Sequence, residues 1–272
     1  MPKTLPSVMR LRAAAPGSPD LARRRQALVV VLTFLTGSAD AIGFLALGGA
    51  FSSVMTGNMV LLGLSAGRGD ADLALTSGCA ILSFIIGVLA GARLAGPAQP
   101  DDPVWPRRVT HTLVLELLVF VVFLVVWVVT LPSRSPPVDL GLLMLSAAAL
   151  GVQSSAIQRF GVPGLSSTYL TGTLTSLIAG VAARRPWRHL RPKAHVLLAL
   201  ISGAVVGSLL ARQLPAWSPV LLIAPLVLVI TVSARMAEQP ARRLAEAPGG
   251  PAGPPAPPDR SGIEKHRPYH RT

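Results

Sequence analysis

The chain has 272 residues, of which 51% are hydrophobic and only 14% charged, with a formal charge of +13. Too few polar side chains are present to clothe a soluble domain of this length, so a soluble globular fold is excluded. The basic residues are scattered through tails and loops rather than gathered on one face, which argues against nucleic acid as a partner and makes them orienting charges instead.

Residues 1–26 form a basic tail carrying Arg10, Arg12, Arg23, Arg24 and Arg25. By the positive-inside bias it stays in the cytoplasm. Apolar segments near 27–49, 76–96, 110–131, 138–160, 194–213 and 218–236 are each long enough to cross ~30 Å of hydrocarbon as a helix. The first imitates a secretory signal ending at "ALGGA", but Asp40 in its middle and its length make it a retained span. Two shorter segments, near 52–67 and 167–183, carry glycine, threonine, serine and asparagine. If both dip in and return, or lie as half-helices, the fold is all-α with six spans; if both cross, it has eight. The loop arginines favour six, with the 93–108 loop inside. "ARRPWRHLRPK" (183–193) and the chain from 237 to 272, rich in proline and glycine, are also cytoplasmic, and the latter buries too little apolar surface to fold.

The membrane domain, 27–236, contains a repeat. One offset sets Ser52 on Ser167, Ser53 on Thr168, Thr56 on Thr171, Gly57 on Gly172, Ala41-Ile42 on Ala156-Ile157 and Gly49 on Gly164. One residue further, Gly87 and Gly91 fall on Gly203 and Gly207. The units run from about 27 to 131 and from 138 to 236. With three crossings each they are inverted, the plan of many secondary transporters.

"VMTGNMV" (54–60) and "YLTGTLT" (169–175) hold the repeated TG pair. Glycine and threonine weaken a helix interior, and a broken helix in lipid needs protein or a wet cavity around it. A half-helix starting near the midplane would aim free N–H groups and a positive dipole end at an anion or carboxylate. Thr56, Gly57, Asn58, Thr171 and Gly172 are therefore candidate binding residues, against the plainer reading that small residues let helices pack closely. That packing role is assigned to Gly87, Gly91, Gly203 and Gly207.

Asp40 is the sharpest signal, because an ionised carboxylate at mid-span costs at least ~2.5 kcal/mol and is kept for a partner or a task. Its counterpart in the second unit is Ser155, which leaves one acid in one half as a candidate proton- or cation-coupling residue. Glu116, about two turns into its span, could trade protons, although its shallower depth favours a structural or snorkelling role. Gln153, Ser154, Ser155 and Gln158 give the span near 138–160 a polar side.

The stretch "GSADAIGFLALGGAFSSVMTGNMVLLGLSAG" (37–67) resembles the signature of the YoaK family of bacterial membrane proteins, defined by a domain of unknown function. The resemblance covers roughly 27–236 and implies a bacterial inner-membrane protein with about six spans; it supplies no substrate. No HExxH, GxSxG, P-loop or clustered metal ligands accompany it, so neither catalysis nor a metal or other cofactor is expected. The leading expectation is a secondary transporter or channel-like carrier for an unidentified small molecule or ion, with a midplane site between the TG segments and Asp40. The alternative is a membrane scaffold acting through its basic tails on anionic lipid headgroups, with an intramembrane enzyme behind both. The bilayer is the one certain partner; homo-oligomerisation stays open.

Overall fold

The computed structural model describes residues 19–97, 105–159 and 170–245, with the side chains of 19–22 and 236–245 left aside. The expected N-terminal tail, most of the C-terminal tail, and Gly164, Ser167 and Thr168 at the head of the second short segment lie outside the described residues. Eight α-helices run through the described residues: α1 (Pro19–Ala46), α2 (Met55–Arg68), α3 (Ala71–Ala95), α4 (Arg107–Val129), α5 (Pro136–Gln158), α6 (Leu170–Ala182), α7 (Trp187–Gln213) and α8 (Val220–Ala245), with a 3₁₀ turn Pro215–Trp217 before the last.

Local sequence explains the ends. Asp70 caps α3 by accepting the N–H of Leu73 at 3.0 Å, directly after Gly69 ends α2 in the left-handed conformation. Pro136 and Pro137 open α5, where a missing N–H costs nothing. Helices α1, α7 and α8 all run past the apolar windows, α7 taking in "WRHLRPK" and α8 continuing to Ala245 rather than stopping at 236. Hydropathy marks the part of a helix that lies in lipid, whereas arginine, lysine, alanine and leucine favour helix in water as well.

Six helices, α1, α3, α4, α5, α7 and α8, are long and apolar enough to cross a membrane. α2 and α6 have 14 and 13 residues, roughly 20 Å of rise, and fall short of the hydrocarbon thickness. Their directions follow from contacts. A Cβ on Gly48, just past α1, would lie 3.1 Å from Thr76 near the start of α3, and Leu47 and Gly48 share a cavity with Asp70, Pro136 and Asp139. The end of α1 and the starts of α3 and α5 are therefore together, and α2 returns to the side it left. At the opposite end, Arg159 after α5 donates to the carbonyls of Gly96 and Pro97 after α3, and Arg108 at the start of α4 abuts Gly96. α4 and α8 run antiparallel, linked by Thr110 with Ser233 at one end and by Trp127 Nε1 donating to Pro215 O at the other.

The closest packing crosses between the two halves of the chain. α1 packs most extensively on α7, and α3 on α5. Gly203 and Gly207 abut Phe34 and Ser38, while Gly87 and Gly91 abut Ala148 and Val152, so both pairs run parallel. Gly37 against Leu200 and Gly151 against Phe84 complete the match. In lipid there is no hydrophobic drive between helices, and bare glycine surfaces gain dispersion contacts by close approach. The glycine spans thus do the packing work expected of them. α5 is the most buried span and α1 the next. Large side chains of α4, Phe120, Phe123 and Trp127, fill the space beside them with Leu222, Leu226 and Val229 of α8. Leu82, Ile86, Leu118, Val125, Leu198 and Ile201 remain exposed and face the bilayer.

Candidate functional site

After α1 the chain takes two left-handed glycines, Gly48 (φ 104°) and Gly49 (φ 79°), a conformation side chains oppose. It then folds back along the helix it has just left. Asp40 precedes the end of α1 at Ala46 by six residues, about 9 Å of rise, yet it receives two hydrogen bonds from Ser53: N–H to Oδ1 at 2.7 Å and Oγ to Oδ2 at 2.6 Å. Gly43 leaves room for this return, since a Cβ there would lie 2.8 Å from Ser52 Oγ. Non-helical backbone is thereby carried below the end of α1, where lipid would leave its polar groups unpaired.

Asn58, fully buried on the first turn of α2, satisfies that backbone. Its Oδ1 accepts the N–H of Phe51 at 2.9 Å and its Nδ2 donates to the Phe51 carbonyl at 2.7 Å. Phe51 stacks on Phe44 of α1 at 4.9 Å between ring centroids. Asp40 from one side and Asn58 from the other grip residues 51–53, and α2 starts from this fixed point. Beside it lies an apolar cavity of about 260 Å³ lined by Gly37, Asp40, Phe44, Phe51, Val54 and Leu200 among others. Among the described residues, Asp40 is the only ionisable group on its wall.

The TG pairs lie differently. Thr56 is exposed and Gly57 half-buried, its hydrogen facing Phe51 and Val54. Thr171 and Gly172 are exposed, and the buried residues of α6 are Thr173 and Gly180. α2 packs chiefly on α3 and α6 on α7, and no residue of α6 lines the Asp40 cavity. Of the first TG segment, Val54 and the Asn58-held backbone are what reach Asp40.

Ser155 donates to Val88 O at 2.9 Å across the α3–α5 contact. Gly203 and Gly207 meet Phe34 and Ser38 as Gly87 and Gly91 meet Ala148 and Val152; counted from these contacts, Ser154 stands where Asp40 does, beside the Ser155 of the sequence match. Deeper in the core, Gln153 Nε2 donates to Thr36 Oγ1 at 2.8 Å. Glu116 is fully buried rather than snorkelling, and neither of its carboxyl oxygens has a hydrogen-bond partner. Among the described residues no group of three or more His, Cys, Asp or Glu could hold a metal ion.

Residues 28–233 match the family model described as "Protein of unknown function (DUF1275)". The chain is also 32% identical over 213 residues to the UPF0700 transmembrane protein YoaK of Bacillus subtilis (strain 168), covering 76% of this chain and 92% of the relative. No solved structure matches.

Proposed function

From the membership of this chain in the YoaK, or DUF1275, family of multi-pass membrane proteins, we propose that it is a secondary transporter or channel-like carrier of the bacterial inner membrane. Its site is centred on Asp40, and the solute is a small molecule or ion. The observation that carries this reading is the return of irregular backbone to Asp40 beside a cavity. Broken helices at membrane depth are a costly device, and secondary transporters use them to form midplane sites between inverted repeats. The exchange of partners between halves, α1 with α7 and α3 with α5, supports an inverted repeat, because each half supplies the same helix faces with directions reversed.

Both oxygens of Asp40 are held by Ser53, which also suits an acid kept for structure, and thus a membrane scaffold. One substitution separates the two. Asp40→Asn keeps a hydrogen-bonding group but no titrating one. As a carrier, the Asn variant folds and inserts yet loses gradient-driven flux in proteoliposomes, with solutes first found as ligands that raise the thermal midpoint of the wild type. Wild-type gradient dependence in the Asn variant returns Asp40 to structure and removes the coupled carrier.

Orientation follows from the charges. Arg93, Arg107, Arg108, Arg159, Arg184, Arg185, Arg188 and Lys193 belong to the end where α1 begins, against Arg68, Arg134 and Arg212 at the other. The bias puts the first end, with both termini, in the cytoplasm, where exposed arginines at the start of α7 meet anionic headgroups. Single cysteines placed in 97–107 of a Cys79→Ala protein then resist an impermeant thiol reagent in intact cells and react after lysis. Labelling in intact cells reverses the orientation.

A further inference from the structure

The buried polar layer between α1, α4 and α5 is short of hydrogen-bond donors. Thr33 and Thr36 donate to Val29 O and Leu32 O, and Thr112 to Arg108 O, each spending its proton on its own helix. Gln153 spends one amide proton on Thr36. Among the described residues of α4 and α5, the buried side-chain oxygens left without a partner are both carboxyl oxygens of Glu116 and Oε1 of Gln153. Three acceptors without a donor, in a fully buried setting, lack something positive. Leaving such groups unmet costs ~1–3 kcal/mol each, and more where one is charged.

The two residues belong to packed helices, and both are buried. Arg108 and Arg159 bring their guanidinium ends to Gly96. Counting from these arginines, Glu116 lies eight residues along α4 and Gln153 six residues back along α5, roughly 12 Å and 9 Å of helix rise from the same end of the bundle. Among the described side chains, the charged and titratable groups of the elements around α4 are set toward helix ends: Asp139 and Arg159 for α5, Asp72 and Arg93 for α3, Arg235 for α8, Arg23, Arg24 and Arg25 for α1, and Arg107, Arg108 and His111 on α4 itself. Cys79 of α3 is half-buried, and Asp40 of α1 is engaged by Ser53. None supplies a fixed cation to Glu116. The cavities formed by the described residues along the lipid-facing grooves and at Asp40 do not include Glu116. A proton needs no volume.

We propose that Glu116 is a proton-binding site inside the membrane, and that its bound proton is donated to Gln153 Oε1. One proton supplies the donor that the layer lacks and removes a buried charge. No bond other than O–H is made or broken: the proton arrives from water and returns to it. If the carrier reading holds, this is a proton the transport cycle can draw on; the site itself stands without that reading.

The test uses the intact wild-type protein in lipid nanodiscs and infrared spectra taken across a pH series, a readout that requires no reagent to enter the closed site. The spectra should show a protonated-carboxyl band, lost as pH is raised, that Glu116→Gln removes, Asp40→Asn leaves, and Gln153→Leu shifts. The absence of any band that Glu116→Gln removes overturns the site. Loss of the band on adding sodium at fixed pH overturns the proton in favour of an alkali cation, and a band unmoved by Gln153→Leu overturns the donation. The Glu116 band in a protein without gradient-driven flux would support the site and sink the carrier reading; flux without the band would do the reverse.

Discussion

Gly87→Ala and Gly203→Ala each lower the stability of the purified protein by about 3 kcal/mol, the upper end of the cost of overpacking a close-packed contact. A Cβ at Gly87 would land on the carbonyl oxygen of Ala148, and one at Gly203 on that of Phe34. A side chain can rotate away from an intruding methyl, but a backbone carbonyl inside a helix cannot, so the helices must separate and lose contacts along their whole seam. The two variants should behave alike because their surroundings correspond. Gly63→Ala on the exposed face of α2 is the control: nothing lies within 4 Å of its added methyl, and removing a helical glycine there stabilises by up to ~1 kcal/mol. Thermal midpoints in one detergent provide the comparison. A wild-type midpoint for Gly87→Ala would mean that the α3–α5 seam is looser than described.

Asn58→Leu costs roughly 2–6 kcal/mol, since it strands the N–H and the carbonyl of Phe51 together at ~1–3 kcal/mol each. Asn58 is fully buried, and apolar surroundings offer those groups no water in exchange. Thr56→Val, two residues away and exposed, should change stability by no more than ~0.5 kcal/mol. Hydrogen exchange over 47–54 reports the same contrast locally: the leucine variant opens this segment while α3 and α5 stay protected. Equal effects at Thr56 and Asn58 would return the weight to the TG pair.

That contrast shows what sequence can and cannot carry. Recurrence drew attention to the threonine and glycine, because repetition is visible in a string of letters. The side a residue faces is not, and in a helix of only four turns the apolar pattern is too short to reveal it; Thr56 and Asn58 look equivalent until α2 is seated on α3. The glycine spans were legible because their spacing is itself the packing rule. The six crossings were legible from length and loop arginines, and the structure agrees with that count. Asp40 was legible as an anomaly, but its partner was not, since the two left-handed glycines that bring Ser53 back to it only announce a turn. Glu116 was legible as a carboxyl inside a span, but its full burial was not, since the apolar pattern of one helix does not say which neighbours close over a side chain.

The parallel pairing of α1 with α7 also constrains how the protein is made. Ser38 bonds to the carbonyl of Gly203, 165 residues later in the chain. At ~5–20 residues per second of synthesis, the first helix waits on the order of ten to thirty seconds for the partner that covers its small-residue face. Throughout that interval it sits in the bilayer with a strip of glycine and serine exposed to lipid or to the insertion machinery. The α1–α7 seam therefore closes only after α7 has been made, and the first helix enters the membrane before the face that α7 covers has its partner.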